Sequence, residues 1–171
     1  VELVSTSLDT IESSAFYGCT SLKEISLPSS LTKIKDYTFD KCSSLKYINI
    51  PDLVEGIGYC AFRGCSSLIE IILPRSLNYI GGSAFENCSS LQKIYIPWNV
   101  KIIKKSTFKG CSSLVEVDLN GVNIIEEYAF YECSSIISLD FSYKIKTINE
   151  FTFYKCSPLK KINFKNSIKS I

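Results

Sequence analysis

The 171-residue sequence has no histidine. That removes Ser-His-Asp and Cys-His catalysis, histidine general bases and histidine metal ligands in one step. It also has no methionine and starts at Val1, which reads as a processed or excised segment of a longer protein. Neither sign of charge dominates: 19 Lys and Arg stand against 17 Asp and Glu. A nucleic-acid or anionic-membrane binder needs a concentrated basic face, so neither partner is expected. No apolar run approaches the roughly 18–20 residues that span a bilayer, and no signal peptide is visible. In a segment of a longer chain, that last absence leaves secretion open. Zinc motifs are missing too, because no C-x₂-C pair occurs. The closest cysteines, Cys60 and Cys65, have no further ligand nearby, so no metal or cofactor is expected. With no constellation of nucleophile, acid and base, no catalytic residue is assigned and the chain reads as a non-enzyme.

What the sequence does have is a period. Cys19, Cys42, Cys65, Cys88, Cys111, Cys133 and Cys156 recur every 23 residues, with one gap of 22 before Cys133. A fixed period of this length signals a solenoid in which one small unit stacks on copies of itself. Three residues before each cysteine stands a phenylalanine, from Phe16 to Phe153, preceded by Ala or Thr. Three, six and eight residues after come apolar positions, such as Leu22, Ile25 and Leu27. The I-x-L step has period two and predicts a short strand with Ile25 and Leu27 inward. Pro28, Pro51, Pro74 and Pro97 end it, because proline has no amide hydrogen for a ladder. Leu31-x-x-Ile34 suits a second extended segment. The A-F-x-G-C stretch is too short for a full helix and reads as a helical or 3₁₀ turn that carries Phe inward. Gly18, Gly64 and Gly110 supply a tight bend there; Lys41, Asn87, Glu132 and Lys155 occupy the same place in other copies. Glycine and asparagine tolerate a left-handed backbone better than Lys or Glu, so the sequence leaves the backbone at this position open.

The fold class predicted is therefore a mainly β repeat solenoid of about 23 residues per repeat, and residues 1–171 form one domain of about seven repeats. The 22-residue repeat, where Asn120-Gly121 offers a turn of its own, is expected to bend or twist the rod. Both ends stop mid-repeat without a polar cap, and Ser167–Ile171 matches Ser30–Ile34. The solenoid is thus expected to continue, or its ends to pack on something.

The unit L-x-x-I-x-L-P-x-x-L-x-x-I-x-x-x-A-F-x-G-C, as in Leu22 to Cys42 and Leu68 to Cys88, resembles the BspA-like (Treponema pallidum-type) leucine-rich repeat over essentially the whole chain. The resemblance implies a curved, right-handed leucine-rich-repeat coil with a sheet lining one face. It also implies cell-surface or secreted proteins that attach to a protein ligand of a host cell or extracellular matrix, while some members are cytoplasmic. It carries over no catalytic residue.

Beside Phe and Leu, the seven periodic cysteines read as a buried ladder of thiols. Cys60 is off register, in a column held elsewhere by Ser14, Tyr37, Ser83, Ser106, Tyr128 and Phe151, and is expected to be the accessible thiol. The residues between the inward Ile and Leu form two outward columns. One runs Glu24, Tyr47, Glu70, Lys93, Glu116, Ser138, Lys161; the other Ser26, Asn49, Ile72, Tyr95, Asp118, Asp140, Asn163. Here the frame is fixed and the side chains vary, as on a binding surface held by a scaffold. The candidate protein-binding face is Tyr47, Glu70, Ile72, Lys93, Tyr95, Trp98, Glu116 and Asp118, centred on Tyr95 and Trp98 because Tyr and Trp are favoured hot-spot residues. A basic cluster, Lys101, Lys104, Lys105 and Lys109, faces Glu126, Glu127 and Glu132 and is read as mutual solvated pairing. Asn87-Cys88-Ser89 fits the glycosylation pattern but only repeats the C-S-S corner. The competing functional reading is an intracellular scaffold or regulatory repeat domain.

Overall fold

The computed structural model describes residues 8–165, so the match at Ser167–Ile171 lies outside the described residues. The seven sequence copies wind six complete coils between Cys19 and Cys156, and no helix occurs among the described residues. Each coil has a front and a second strand, both short. The front strands are Glu24–Ile25, Tyr47–Ile48, Lys93–Tyr95, Glu116–Asp118, Ser138–Phe141 and Lys161–Phe164. In the third coil Glu70 and Ile72 form isolated bridges in the same place. All pairing is parallel, with Glu24 opposite Tyr47 and Lys93 opposite Glu116. The second strands, from Lys33–Ile34 through Tyr79–Ile80 to Thr147–Ile148, stack likewise. The prolines open the turn between them: the Pro28, Pro51, Pro74 and Pro97 carbonyls accept from the amides of Leu31, Val54, Leu77 and Val100.

The third side differs from a 3₁₀ turn in an instructive way. The amides of Ala61, Arg63 and Cys65 donate three residues back, as in a 3₁₀ helix. The alternate amides, Cys60, Phe62 and Gly64, donate to Gly82, Ala84 and Glu86 of the next coil. A 3₁₀ helix would use every amide internally; this segment uses half for turns and half for stacking. The alternation requires two left-handed residues per coil. Both the Gly18/Lys41/Gly64/Asn87 column and the Ser14/Tyr37/Cys60/Ser83 column have φ between 53 and 71. Lys41 and Glu132 thus accept a conformation that costs an L-residue roughly 1–2 kcal/mol, and their amides' cross-coil hydrogen bonds to the Arg63 and Tyr154 carbonyls offset it.

Inside, Phe39, Phe62, Phe85, Phe108 and Phe130 are fully buried and stack in near-parallel pairs 5.3–5.5 Å apart. Where Thr replaces Ala before the Phe, its buried hydroxyl is satisfied locally: Thr38, Thr107 and Thr152 donate to the carbonyls of Lys35, Lys104 and Asn149. The fully buried Asp40 carboxylate is gripped through two hydrogen bonds by Arg63 of the next coil, at 3.1 and 2.6 Å.

The short coil loses the position that proline holds elsewhere. Leu119 takes over as the acceptor that closes the turn, here onto Val122. The register is regained by Ile124, opposite Ile102. Gly121 is needed here for room rather than for φ: a Cβ would lie 2.4 Å from the Trp98 carbonyl oxygen and 2.5 Å from its Cα.

Candidate protein-binding face

Front-strand pairing sets the two outward columns in register. Glu70 is opposite Lys93 and Lys93 opposite Glu116; Asn49 is opposite Ile72 and Tyr95 opposite Asp118. Tyr47, Glu70, Ile72, Lys93, Tyr95 and Glu116 are exposed, with Asp118 half-buried. Ile72, 71% exposed, is the most open of the apolar residues. Alternation along each strand forces this arrangement: with Ile94 fully buried, Lys93 and Tyr95 must face outward. Trp98 lies past the strand on the rim, 63% exposed. Lys101 sits 4.9 Å from its ring centroid and donates to its carbonyl.

Polar contacts tie the centre of the face across neighbouring coils. The Tyr95 hydroxyl donates to Glu116 at 2.7 Å, and the Lys93 ammonium lies 3.3 Å from the same carboxylate. The Tyr95 hydrogen bond first, then that of Lys93, holds the Glu116 carboxyl below its ordinary range. The shared bonds to Glu116 raise both Tyr95 and Lys93. These groups are half exposed to solvent, so the effect fixes side-chain orientation more than stability.

Sequence reasoning missed part of this surface. Val115 and Ile137 are half exposed, in the column just before the front strands that Lys23, Lys46 and Lys160 hold in other copies. Backbone bonds such as Val115 to Gln92 and Lys160 to Ile137 align that column. Its signal was available: two aliphatics where outer copies carry lysine. A second missed feature lies on the turn side. There Tyr128 stacks on Phe151 and Tyr131 on Tyr154, each pair at 5.2 Å. The signal was Y-x-x-Y followed one repeat later by F-x-x-Y.

The basic cluster forms no open cationic site. Lys104 pairs with Glu126 and Lys105 with Glu127, as expected from sequence. Lys109 instead reaches back to Glu86, and Glu132 pairs with Lys155. Asn87 is exposed in its bend, with its side-chain oxygen against Gly110.

The thiols require two corrections, at Cys60 and at Cys19, which was expected in the buried ladder. Cys60 is fully buried, and Cys19 is the exposed cysteine. The Cys60 column is deep enough to hide a short side chain: Ser83 is buried in it, whereas Phe151 stands half out. Desolvation raises the Cys60 thiol, partly opposed by a hydrogen bond with Tyr59. In the ladder, each thiol from Cys42 to Cys156 donates to the Phe carbonyl of the preceding coil at 3.1–3.2 Å, as Cys88 does to Phe62. Cys19 has no such coil over it among the described residues. A thiol reagent at neutral pH is expected to modify one cysteine of eight in the folded 171-residue chain, located at Cys19 by peptide mass mapping. All eight cysteines are free, and no group of three or more Cys, Asp or Glu among the described residues could hold a metal ion.

The fold and its repeated face define a leucine-rich-repeat solenoid. The BspA type leucine rich repeat region matches in six copies over residues 2–115 and 83–171, and the chain belongs to that family. It is similar to a leucine-rich repeat protein of Bacteroides ovatus, with 35% identity and a TM-score of 0.89, over 94% of this chain and 44% of that one. The T. pallidum leucine rich repeat protein is 31% identical with a TM-score of 0.66, over 80% of this chain and 77% of its own. A leucine rich cell surface protein of Faecalibacterium prausnitzii is 30% identical with a TM-score of 0.77, over 85% of this chain and 39% of that one. The chain thus spans less than half the length of the Bacteroides and Faecalibacterium proteins. No curated protein matches it. No helix among the described residues is long and apolar enough to cross a membrane.

Proposed function

We propose that the chain is a non-catalytic protein-interaction module that binds a protein ligand through its front-strand face, as the attachment domain of a cell-surface or secreted protein. The observation that carries this reading is the exposure of Tyr47, Ile72 and Tyr95 on a sheet face whose inward residues are uniformly apolar. Exposed apolar side chains on a rigid surface lower the entropy lost when a partner orders against them. The surface location draws on the similarity to the Faecalibacterium cell surface protein. A second reading, an intracellular scaffold, is favoured by the eight unpaired thiols, which suit a reducing compartment. Localisation of the full-length protein separates the two.

The binding experiment presents the solenoid to matrix and to cytosolic protein extracts and measures affinity for the captured protein. Alanine at both Tyr95 and Trp98 is expected to weaken it by about 30-fold or more, the scale of a hot-spot loss, and to leave the melting temperature in place. Unchanged affinity discards the patch.

A further inference from the structure

Ion pairs elsewhere on the rod follow one habit: neighbouring coils neutralise each other. Lys35 meets Glu12, Arg63 meets Asp40, Lys104 and Lys105 meet Glu126 and Glu127, Lys109 meets Glu86 and Lys155 meets Glu132. The centre of the front-strand face breaks the habit. Over the four coils from Ile69 to Asp140, the outward columns hold Glu70, Glu116, Asp118 and Asp140 against Lys93 alone. Lys93 is engaged by Glu116, and Glu70, Asp118 and Asp140 make no ion pair among the described residues. Asp118 accepts only from the Asn120 amide and Asp140 from the Asn163 side chain, bonds that leave the charge in place.

Like charges at successive positions of one column repel, so Asp118 followed by Asp140 does not serve stability. The same four coils present the exposed aliphatics Ile72, Val115 and Ile137 and the ring of Tyr95. Lysines bracket them, Lys23 and Lys46 on one side and Lys160 and Lys161 on the other. The chain as a whole carries +2, so the acidic centre stands out against its surroundings.

From this charge arrangement, and resting on the protein-binding reading above, we propose that the face takes a short basic–apolar segment of its partner, arginine or lysine flanked by apolar side chains. The aliphatics and Tyr95 cover the apolar part while the carboxylates meet the cations. The flanking lysines set the length. Three coil steps of about 4.8 Å accommodate an extended segment of roughly four or five residues. A longer polybasic chain meets repulsion at both ends, the discriminating element that specificity requires.

The test uses three synthetic peptides of equal length with the same apolar residues, alternated with arginine, glutamate or serine. Binding is followed by fluorescence anisotropy at low and at physiological salt. The arginine peptide is expected to bind at least tenfold tighter than the glutamate peptide, with the ratio shrinking as salt screens the attraction. In the variant combining Glu70→Lys and Asp140→Lys, both exposed, the preference is expected to reverse. Equal binding of the three peptides, an unaltered order in the variant, or no binding of the arginine peptide overturns the proposal. The Tyr95→Ala/Trp98→Ala protein separates this failure from that of the face itself. Charge-blind binding that needs those rings keeps the protein-binding face and discards its charge selectivity. Charge-selective binding that survives their loss keeps the selectivity and discards the Tyr95–Trp98 centre.

Discussion

Phe85→Ala is expected to cost about 3–5 kcal/mol, the range for emptying a buried aromatic site. The ring is fully buried and lies between Phe62 and Phe108, 5.5 Å from each and within 5° of parallel. Truncation therefore removes two ring–ring contacts and leaves a void between coils whose backbone spacing is fixed by cross-coil hydrogen bonds, so collapse around it is limited. Phe16, only half-buried and stacked on Phe39 alone, makes the internal control: Phe16→Ala is expected to cost clearly less. Urea unfolding of both variants checks the pair. Because each coil contacts mainly its neighbours, the central variant is also expected to broaden the transition as the two halves of the rod lose their coupling. Equal costs at the two sites would refute the claim that the aromatic column is continuous.

Alkaline pH is expected to unfold the protein well before its lysines titrate. Desolvation raises every thiol of the buried ladder: Cys42 and Cys156 are pushed up to about 11, Cys65, Cys111 and Cys133 rise further still, and Cys88 is raised well above its ordinary range. In the unfolded chain a thiol ionises near pH 8.5. Above about that pH the unfolded state releases protons that the fold retains, so the thiols' contribution is full below it and is lost as pH rises toward 11. Each thiol contributes up to about 1.4 kcal/mol per pH unit, so six give on the order of 8 kcal/mol per unit, against a typical total stability of 5–15 kcal/mol. Denaturant midpoints at pH 7, 9 and 10 are expected to be flat and then to fall steeply. Tyrosine ionisation also contributes at the upper end, so the decisive comparison is Cys88→Ala/Cys111→Ala, expected to flatten the slope by about a third. A slope unchanged by that substitution would detach alkaline unfolding from the ladder.

The parts of the molecule legible in the sequence are those in which a side chain reports its own environment. Phe, Cys and Leu recur because each fills the same buried place in every coil, and the period alone put Glu70, Lys93 and Glu116 in one outward column. What was illegible depends on backbone conformation or on depth. Lys41 and Glu132 adopt the left-handed region because a cross-coil hydrogen bond holds them there, and nothing in those side chains announces it. Cys60 was misplaced because its column alternates Ser with Tyr and Phe, a composition that suggests a surface although short side chains there are covered. The loss of proline in the short coil was visible. That Gly121 is needed there followed only from seeing the Trp98 backbone lie against it.

The alternating amides of the turn side have an electrical consequence. Between parallel strands the hydrogen bonds run both ways and their dipoles largely cancel. In the alternating-amide segment of the turn side every cross-coil backbone bond runs from a donor in one coil to an acceptor in the next: Ser14 to Asp36, Tyr37 to Tyr59, Cys60 to Gly82, Ser83 to Lys105. Peptide dipoles aligned in this way add, as they do along an α-helix, but with the opposite sense relative to chain direction. The summed dipole points its positive end toward the C-terminal coils, so this side of the rod favours anionic groups in that direction and cations toward the N-terminal coils.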